Sequence, residues 1–182
     1  MVRPYQARAK ACEGLGTFAL VFFGTGAIIV DQTQGGMIGH AGIAWTFGLV
    51  VMAMIFTFGP VSGAHLNPAV TLGLVAAGRF PLTKAPGYVV AQMLGALAAS
   101  GVLRLLFPAS VTYGATLPSG SEAQSFLLEM ILTAVLMLVI LQVTSKDRES
   151  TVIPAISIGA VVGLAVSVQR MGVGDFWRAK HR

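Results

Sequence analysis

Polar residues along this chain are gathered into short clusters, and the stretches between them stay apolar for lengths that match a bilayer. Five such stretches are Cys12–Val30, His40–Phe58, Lys84–Phe107, Ser125–Val143 and Val152–Val168. A helix that crosses a hydrocarbon core needs ~20 predominantly apolar residues, so each is read as a spanning helix, the fifth being the shortest. A further apolar stretch, Asn67–Ala77, is too short to span and ends at Gly78-Arg79-Phe80-Pro81. A short helix at membrane depth must be buried in protein or line a cavity. The pattern predicts an all-α membrane protein with about five spanning helices and one re-entrant half-helix.

The charged clusters orient this bundle. Arg3, Arg8 and Lys10 precede the first helix, Arg79 and Lys84 lie between the second and third, and Lys146 and Arg148 lie between the fourth and fifth. The alternate loops, Asp31–Gly39 and Pro108–Gln124, contain no Lys or Arg. Basic loops stay on the cytoplasmic side, so the expectation is a multi-pass protein of the cell (inner or plasma) membrane with its N-terminus in the cytoplasm. The tail breaks the alternation. After a fifth span it should lie outside, yet it carries Arg170, Arg178, Lys180 and Arg182.

Composition narrows the class. Charged residues are 10% of the chain and hydrophobic residues 55%, where a soluble domain is about 25% charged. So few charges cannot cover a water-exposed surface, which makes the lipid bilayer the surrounding partner. The net charge of +5 then reports cytoplasmic loops rather than nucleic-acid binding. The 22 glycines suit close helix contacts in lipid. Cys12 is the single cysteine, so no disulfide forms within the chain. Asp31, His40 and His65 match no metal-ligand spacing, and neither a metal, a cofactor nor an enzyme activity is expected. His40, at the mouth of the second helix, is expected to be solvated, and Arg104 to snorkel to the headgroups.

A weak internal repeat runs through the chain. Glu13-Gly-Leu-Gly-Thr17 in the first helix is echoed by Glu129-Met-Ile-Leu-Thr133 in the fourth, and in both the Glu and Thr share a helix face. Thr46–Val51 is echoed by Ser157–Val162 at an offset of 111 residues. Similar halves with odd numbers of spans point to inverted-topology repeats, whose site lies near the bilayer midplane. The expected organisation is one transmembrane domain over residues 1–168, with a first repeat over 1–107, a partial second over 108–168, and a divergent basic tail over 169–182.

The informative motif is Ser62-Gly63-Ala64-His65-Leu66-Asn67-Pro68-Ala69-Val70-Thr71. Asn at the N-cap followed by Pro at the first helical position is good helix-start chemistry. The helix that follows points its partly positive N-terminal end into the membrane interior. There the Asn67 amide can donate to water or a hydroxyl, and such donors orient water and repel protons and cations. His65, two residues before Asn67, is a candidate pore residue, and the expected reading is a fixed loop histidine that hydrogen-bonds backbone.

This string resembles the first signature loop of the aquaporin and glycerol-facilitator family, and Glu13-Gly-Leu-Gly-Thr-Phe18 is similar to that family's first-helix signature. The resemblance extends from about Glu13 to Pro154. It implies a right-handed bundle of six spanning helices and two half-helices that meet at two Asn-Pro-Ala motifs. It implies homotetramers with one pore per subunit, passing water, glycerol or other small uncharged solutes without a cofactor. Carried onto this chain, Asn67, Pro68 and Ala69 are the first motif. Phe47 and Val166 match the second- and fifth-helix positions of the outer constriction. Glu13 and Glu129 match buried glutamates that bind signature-loop backbone, and Gly63 permits the tight approach of that loop.

The chain departs from the family pattern after about Val168. The repeat offset carries Asn67 onto Arg178, which lies in no matching motif, and no sixth apolar stretch follows. The expectation is a second half left incomplete by truncation or a frameshift. The leading functional reading is a passive channel; the alternative is a non-conducting homologue or a subunit that needs an intact partner. The orientation is checked with a protease-cleavable tag ahead of Met1: it should be cut in inside-out vesicles and protected in intact cells, and the reverse pattern would overturn it.

Overall fold

The computed structural model describes residues 2–116, 121–144 and 150–169, and all regular structure in them is helical. Helix α1 is Val2–Thr33, α2 Gly39–Ser62, α3 Pro68–Ala76, α4 Ala85–Leu106, α5 Glu122–Val143 and α6 Val152–Gln169. A single 3-10 turn, Leu82–Lys84, leads into α4. Among the described residues, five helices are long and apolar enough to cross a membrane, and α3, with 9 residues, is not one of them. Apart from Gln169, the basic tail lies outside the described residues.

Several boundaries differ from the hydropathy reading. Helix α1 starts ten residues before Cys12, at Val2; hydropathy follows the membrane, whereas Gln, Ala, Arg and Lys are good helix formers in water as well. Helix α2 runs through Pro60 to Ser62, because a proline in the last turn removes only one ladder bond. It stops at Gly63, whose φ of 89° is left-handed and whose N–H donates to the Gly59 carbonyl at 3.0 Å. Helix α5 starts at Glu122, because Ser121 Oγ accepts from the Gln124 N–H at 3.2 Å and caps the first turn.

Helix α1 packs along α4 and α2, α2 packs along α6, and α5 leans on α6 with a slight touch on α3. The main core gathers Val51, Ile55, Leu66, Val70, Leu74, Ile140, Ala155 and Ile158 between α2, α3, α5, α6 and the loop before α3. Large apolar side chains elsewhere point outward, among them Leu97, Leu105, Phe126, Leu138 and Leu164. Around a multi-pass protein that surface faces hydrocarbon, where it loses nothing by exposure.

Because lipid is as apolar as leucine, close packing rather than water exclusion holds the helices together. The tightest crossing is that of α2 on α6. A Cβ on Gly159 would come 2.7 Å from the Gly48 carbonyl oxygen, and one on Gly48 would come 2.7 Å from the Gly159 oxygen. Each glycine meets the other's carbonyl, so the contact is reciprocal, and the two stand at the 111-residue offset of the sequence echo. Gly95 of α4 meets the Gly14 carbonyl of α1 in the same backbone-to-backbone manner.

At the end of the bundle where α2 begins, side chains tie the elements. Asp31 Oδ1 accepts from the Gly39 N–H at 2.7 Å. His40 is half-buried rather than solvated: its Nε2 donates to the Ser167 carbonyl at 2.6 Å, which joins the start of α2 to the end of α6. Arg104 lies over the Tyr113 ring, 5.5 Å from its centroid, so the side chain engages the loop after α4 through a cation–π contact.

If the α2–α6 crossing depends on absent side chains, Gly159→Ala should lower stability by about 1–3 kcal/mol, the usual penalty of overpacking. Gly101→Ala is the control: Gly101 faces open space on α4, and the change there should be neutral or stabilising by about 0.5–1 kcal/mol. Thermal unfolding in detergent reads both, and equal effects would sink the packing argument.

Candidate functional site

Between α2 and α3 the chain turns back within Gly63–Asn67. Three residues of this loop are left-handed: Gly63 at φ 89°, Ala64 at 48° and Leu66 at 57°. For a residue with a Cβ that conformation costs ~1–2 kcal/mol, so Ala64 and Leu66 need an external constraint.

Glu13 of α1 supplies it. Its side chain is fully buried. Oε1 accepts from Ser62 Oγ at 2.6 Å and from the His65 N–H at 3.0 Å. Oε2 accepts from the Leu66 N–H and from Gln92 Nε2, both at 2.8 Å. Four donors thus saturate one carboxylate, and hydrogen bonds to such an acceptor are about twice as strong as neutral ones. Thr17, one turn along α1, donates to the Leu66 carbonyl at 3.0 Å. Ser62 Oγ also accepts from the Ala64 N–H at 3.0 Å, and Tyr88 of α4 donates to the Ser62 carbonyl at 2.9 Å. The loop's N–H groups at 64, 65 and 66 are therefore all turned toward protein. The carbonyls of Gly63, Ala64 and His65 accept from no described residue.

Asn67 is extended (φ −150°) and caps α3: its Oδ1 accepts from the Ala69 N–H at 2.8 Å, with Pro68 at the first helical position. A flipped amide would set NH₂ against that N–H, so the capping bond fixes which end is oxygen. The NH₂ end is left for the adjoining space, onto which exposed Asn67 faces.

That space is a crevice of about 910 Å³ bounded by α2, α3, α5, α6, the loop and the turn after α3, with Leu20 of α1 also on its wall. Phe47, Val166, Glu129 and Gln169 border it toward the His40–Ser167 end. Asn67, His65 and Gly63 border its middle, and Arg79 and Phe80 border the other end. Phe47 and Val166 also pack on Ala27, Ile28 and Ile43. His65 is held by Thr71 rather than by backbone: its Nδ1 lies 3.1 Å from Thr71 Oγ1, and its ring meets Phe80 and Tyr88 at centroid distances of 4.7 and 5.1 Å. Pro68 and Ala69 form the first turn of α3 and are not in the crevice wall.

Glu129 does not repeat the environment of Glu13. It is exposed on the crevice wall and accepts from Gln169 Nε2, since no second loop among the described residues offers it backbone N–H groups. Sequence reasoning also missed Gln92, which is fully buried and bonds both Glu13 and Thr71, the latter at 3.0 Å. Its signal was present: an amide in the middle of an apolar span needs a polar partner. Tyr88 carried no such signal.

Residues 1–174 match the profile of the family described as Major intrinsic protein. Aquaporin NIP1-1 of Zea mays is 44% identical over 86% of this chain and 56% of its own length. Nodulin-26 of Glycine max is 41% identical over 86% of this chain and 58% of its own length. The chain thus spans about half the length of the curated relatives it matches. Among solved structures, the X-ray structure of the aquaglyceroporin from Plasmodium falciparum aligns with a TM-score of 0.76 and 31% identity, covering 93% of this chain and 72% of that one. With a profile match over most of its length, and a solved relative whose helices follow its own, the chain belongs to the major intrinsic protein family.

Proposed function

We propose that this chain builds the wall of a passive channel for water or small uncharged solutes such as glycerol, in the cell membrane with its N-terminus in the cytoplasm, and that it assembles as a homotetramer. The observation that carries the reading is the Asn67 amide, presented to the crevice at the N-terminal end of α3. A donor at a partly positive helix end attracts the oxygen of water or an alcohol and opposes a cation. Beside it, the Gly63, Ala64 and His65 carbonyls supply acceptors, and apolar Val51, Ile55 and Ile158 line the facing wall. A neutral solute that both donates and accepts fits that path; an ion would lose hydration without compensation. Phe47 and Val166, near one mouth, are the proposed width-setting pair, and the aquaglyceroporin relative makes polyols as suitable as water. No chemistry on the solute is invoked.

A second reading rests on the crevice itself. Its described wall comes from α2, α3, α5, α6, the loops on either side of α3 and Leu20 of α1, and Glu129 stands exposed on it. A carboxylate that stands exposed at membrane depth with one amide donor is unfavourable. In this reading a further wall, from another segment or an intact relative, closes the path, and the chain alone conducts nothing.

Liposomes bearing the chain should shrink or swell faster than empty ones in water and glycerol gradients. Asn67→Leu should slow passage about tenfold, the effect of losing a donor worth about 1.4 kcal/mol. Permeability no higher than that of empty liposomes would reject conduction by the chain alone and favour the second reading. Glu13→Ala should lower the melting temperature and passage together, because each orphaned loop N–H costs about 1–3 kcal/mol. Glu13→Gln should fall between, and an alanine variant that melts like the wild type would remove Glu13 from its place in the argument.

A further inference from the structure

Behind the signature loop lies a second cavity, of about 440 Å³, among the N-terminal part of α1, the last turn of α2 and the start of α4. The volume is within the range of small-molecule sites, about 300–1,000 Å³. Lys10 and Lys84 line it, together with Gln6, Ser62 and Thr83. No described carboxylate does.

The charges here are arranged against their own comfort. Lys10 is laid across the first turn of α4, so close that a Cβ on Gly87 would come 2.9 Å from its Nζ. Helix α4 has 22 residues and no acidic residue in its first turn, so this end carries the partial positive charge of the helix dipole. Lys84 immediately precedes it. An ammonium at a positive helix end is unfavourable without a counter-charge. The nearest carboxylate along α1, that of Glu13, is closed off by Ser62, His65, Leu66 and Gln92. Two lysines and a helix N-terminus therefore border a polar cavity to which no described carboxylate contributes.

We propose that this cavity binds a phosphate group, as a phosphodiester of an anionic lipid or as free phosphate. Its position suits the first source. The apolar stretch of α1 begins at Cys12 and that of α2 ends at Phe58, and the cavity is lined by Tyr5 to Lys10 and Gly59 to Gly63, just beyond those two ends, so it opens at headgroup level. Basic pockets between spanning helices at that level hold anionic headgroups. The Lys10 and Lys84 amines and the Thr83 hydroxyl supply donors of the kind phosphate oxygens accept.

The test uses the full chain in neutral detergent, with melting temperature as the readout. Phosphatidylglycerol should raise it by several degrees and phosphatidylcholine should not. Lys10→Gln and Lys84→Gln should each remove at least half of the rise, and both together nearly all of it. Arg8→Gln, an exposed cation on α1 outside the cavity, should keep the rise intact. Inorganic phosphate then separates the sources. An equal rise, lost in the same lysine variants, assigns the site to the free anion, and a rise with the lipid alone assigns it to the headgroup. No rise with either, a rise with phosphatidylcholine, or a rise unchanged in the double variant would overturn the proposal.

Discussion

The site depends on one buried carboxylate. Glu13 holds Leu66 directly and Ala64 through Ser62, with Thr17 beside it, and without that left-handed backbone the chain could not reverse between α2 and α3 in so few residues. The four hydrogen bonds to Glu13 come from α2, the loop and α4. One side chain of α1 therefore sets where three other elements stand. It also decides the polarity of the loop: with the N–H groups drawn to Glu13 and Ser62, the carbonyls are what remains for the crevice. Burying a charge in a low-dielectric interior is severe unless every lone pair is matched. Here the matching is complete, and the same cost that would punish a missing donor makes the arrangement specific.

From this fixed loop the rest of the path follows by short steps. Asn67 spends its oxygen on the first turn of α3 and keeps its NH₂ for the crevice. Thr71, one turn further on, holds the His65 ring and also meets Gln92. The network thus returns to Glu13, and the donors, acceptors and apolar wall of the crevice are positioned by side chains that lie almost entirely behind it.

The span count and the half-helix were legible in the sequence because both rest on local rules, apolar length for the one and the Asn-Pro start with a Gly78 stop for the other. What was not legible is what depends on neighbours distant in sequence. The helical extension of α1 ahead of Cys12 has no hydropathy signal, and the passage of α2 through Pro60 depends on where Gly63 ends it. His40 reads as a solvated mouth residue until the end of α6 is brought beside it. Glu129 shares a local pattern with Glu13, but a buried carboxylate is defined by its donors, and those are not beside it among the described residues. Gln92 could have been found by asking what an amide does inside an apolar span.

The reciprocal Gly48–Gly159 contact has a consequence for how the bundle is assembled. Two backbones that meet carbonyl against Cα leave a groove with no room for a methyl group. A helix that brings a side chain to this crossing would have to stand further off. The groove is therefore a steric constraint on whatever helix lies against α2 at this crossing, and Gly159 of α6 meets it. A fit of that kind resides in the absence of atoms, so it is lost through the smallest additions: a single methyl on either strip would push two whole backbones apart.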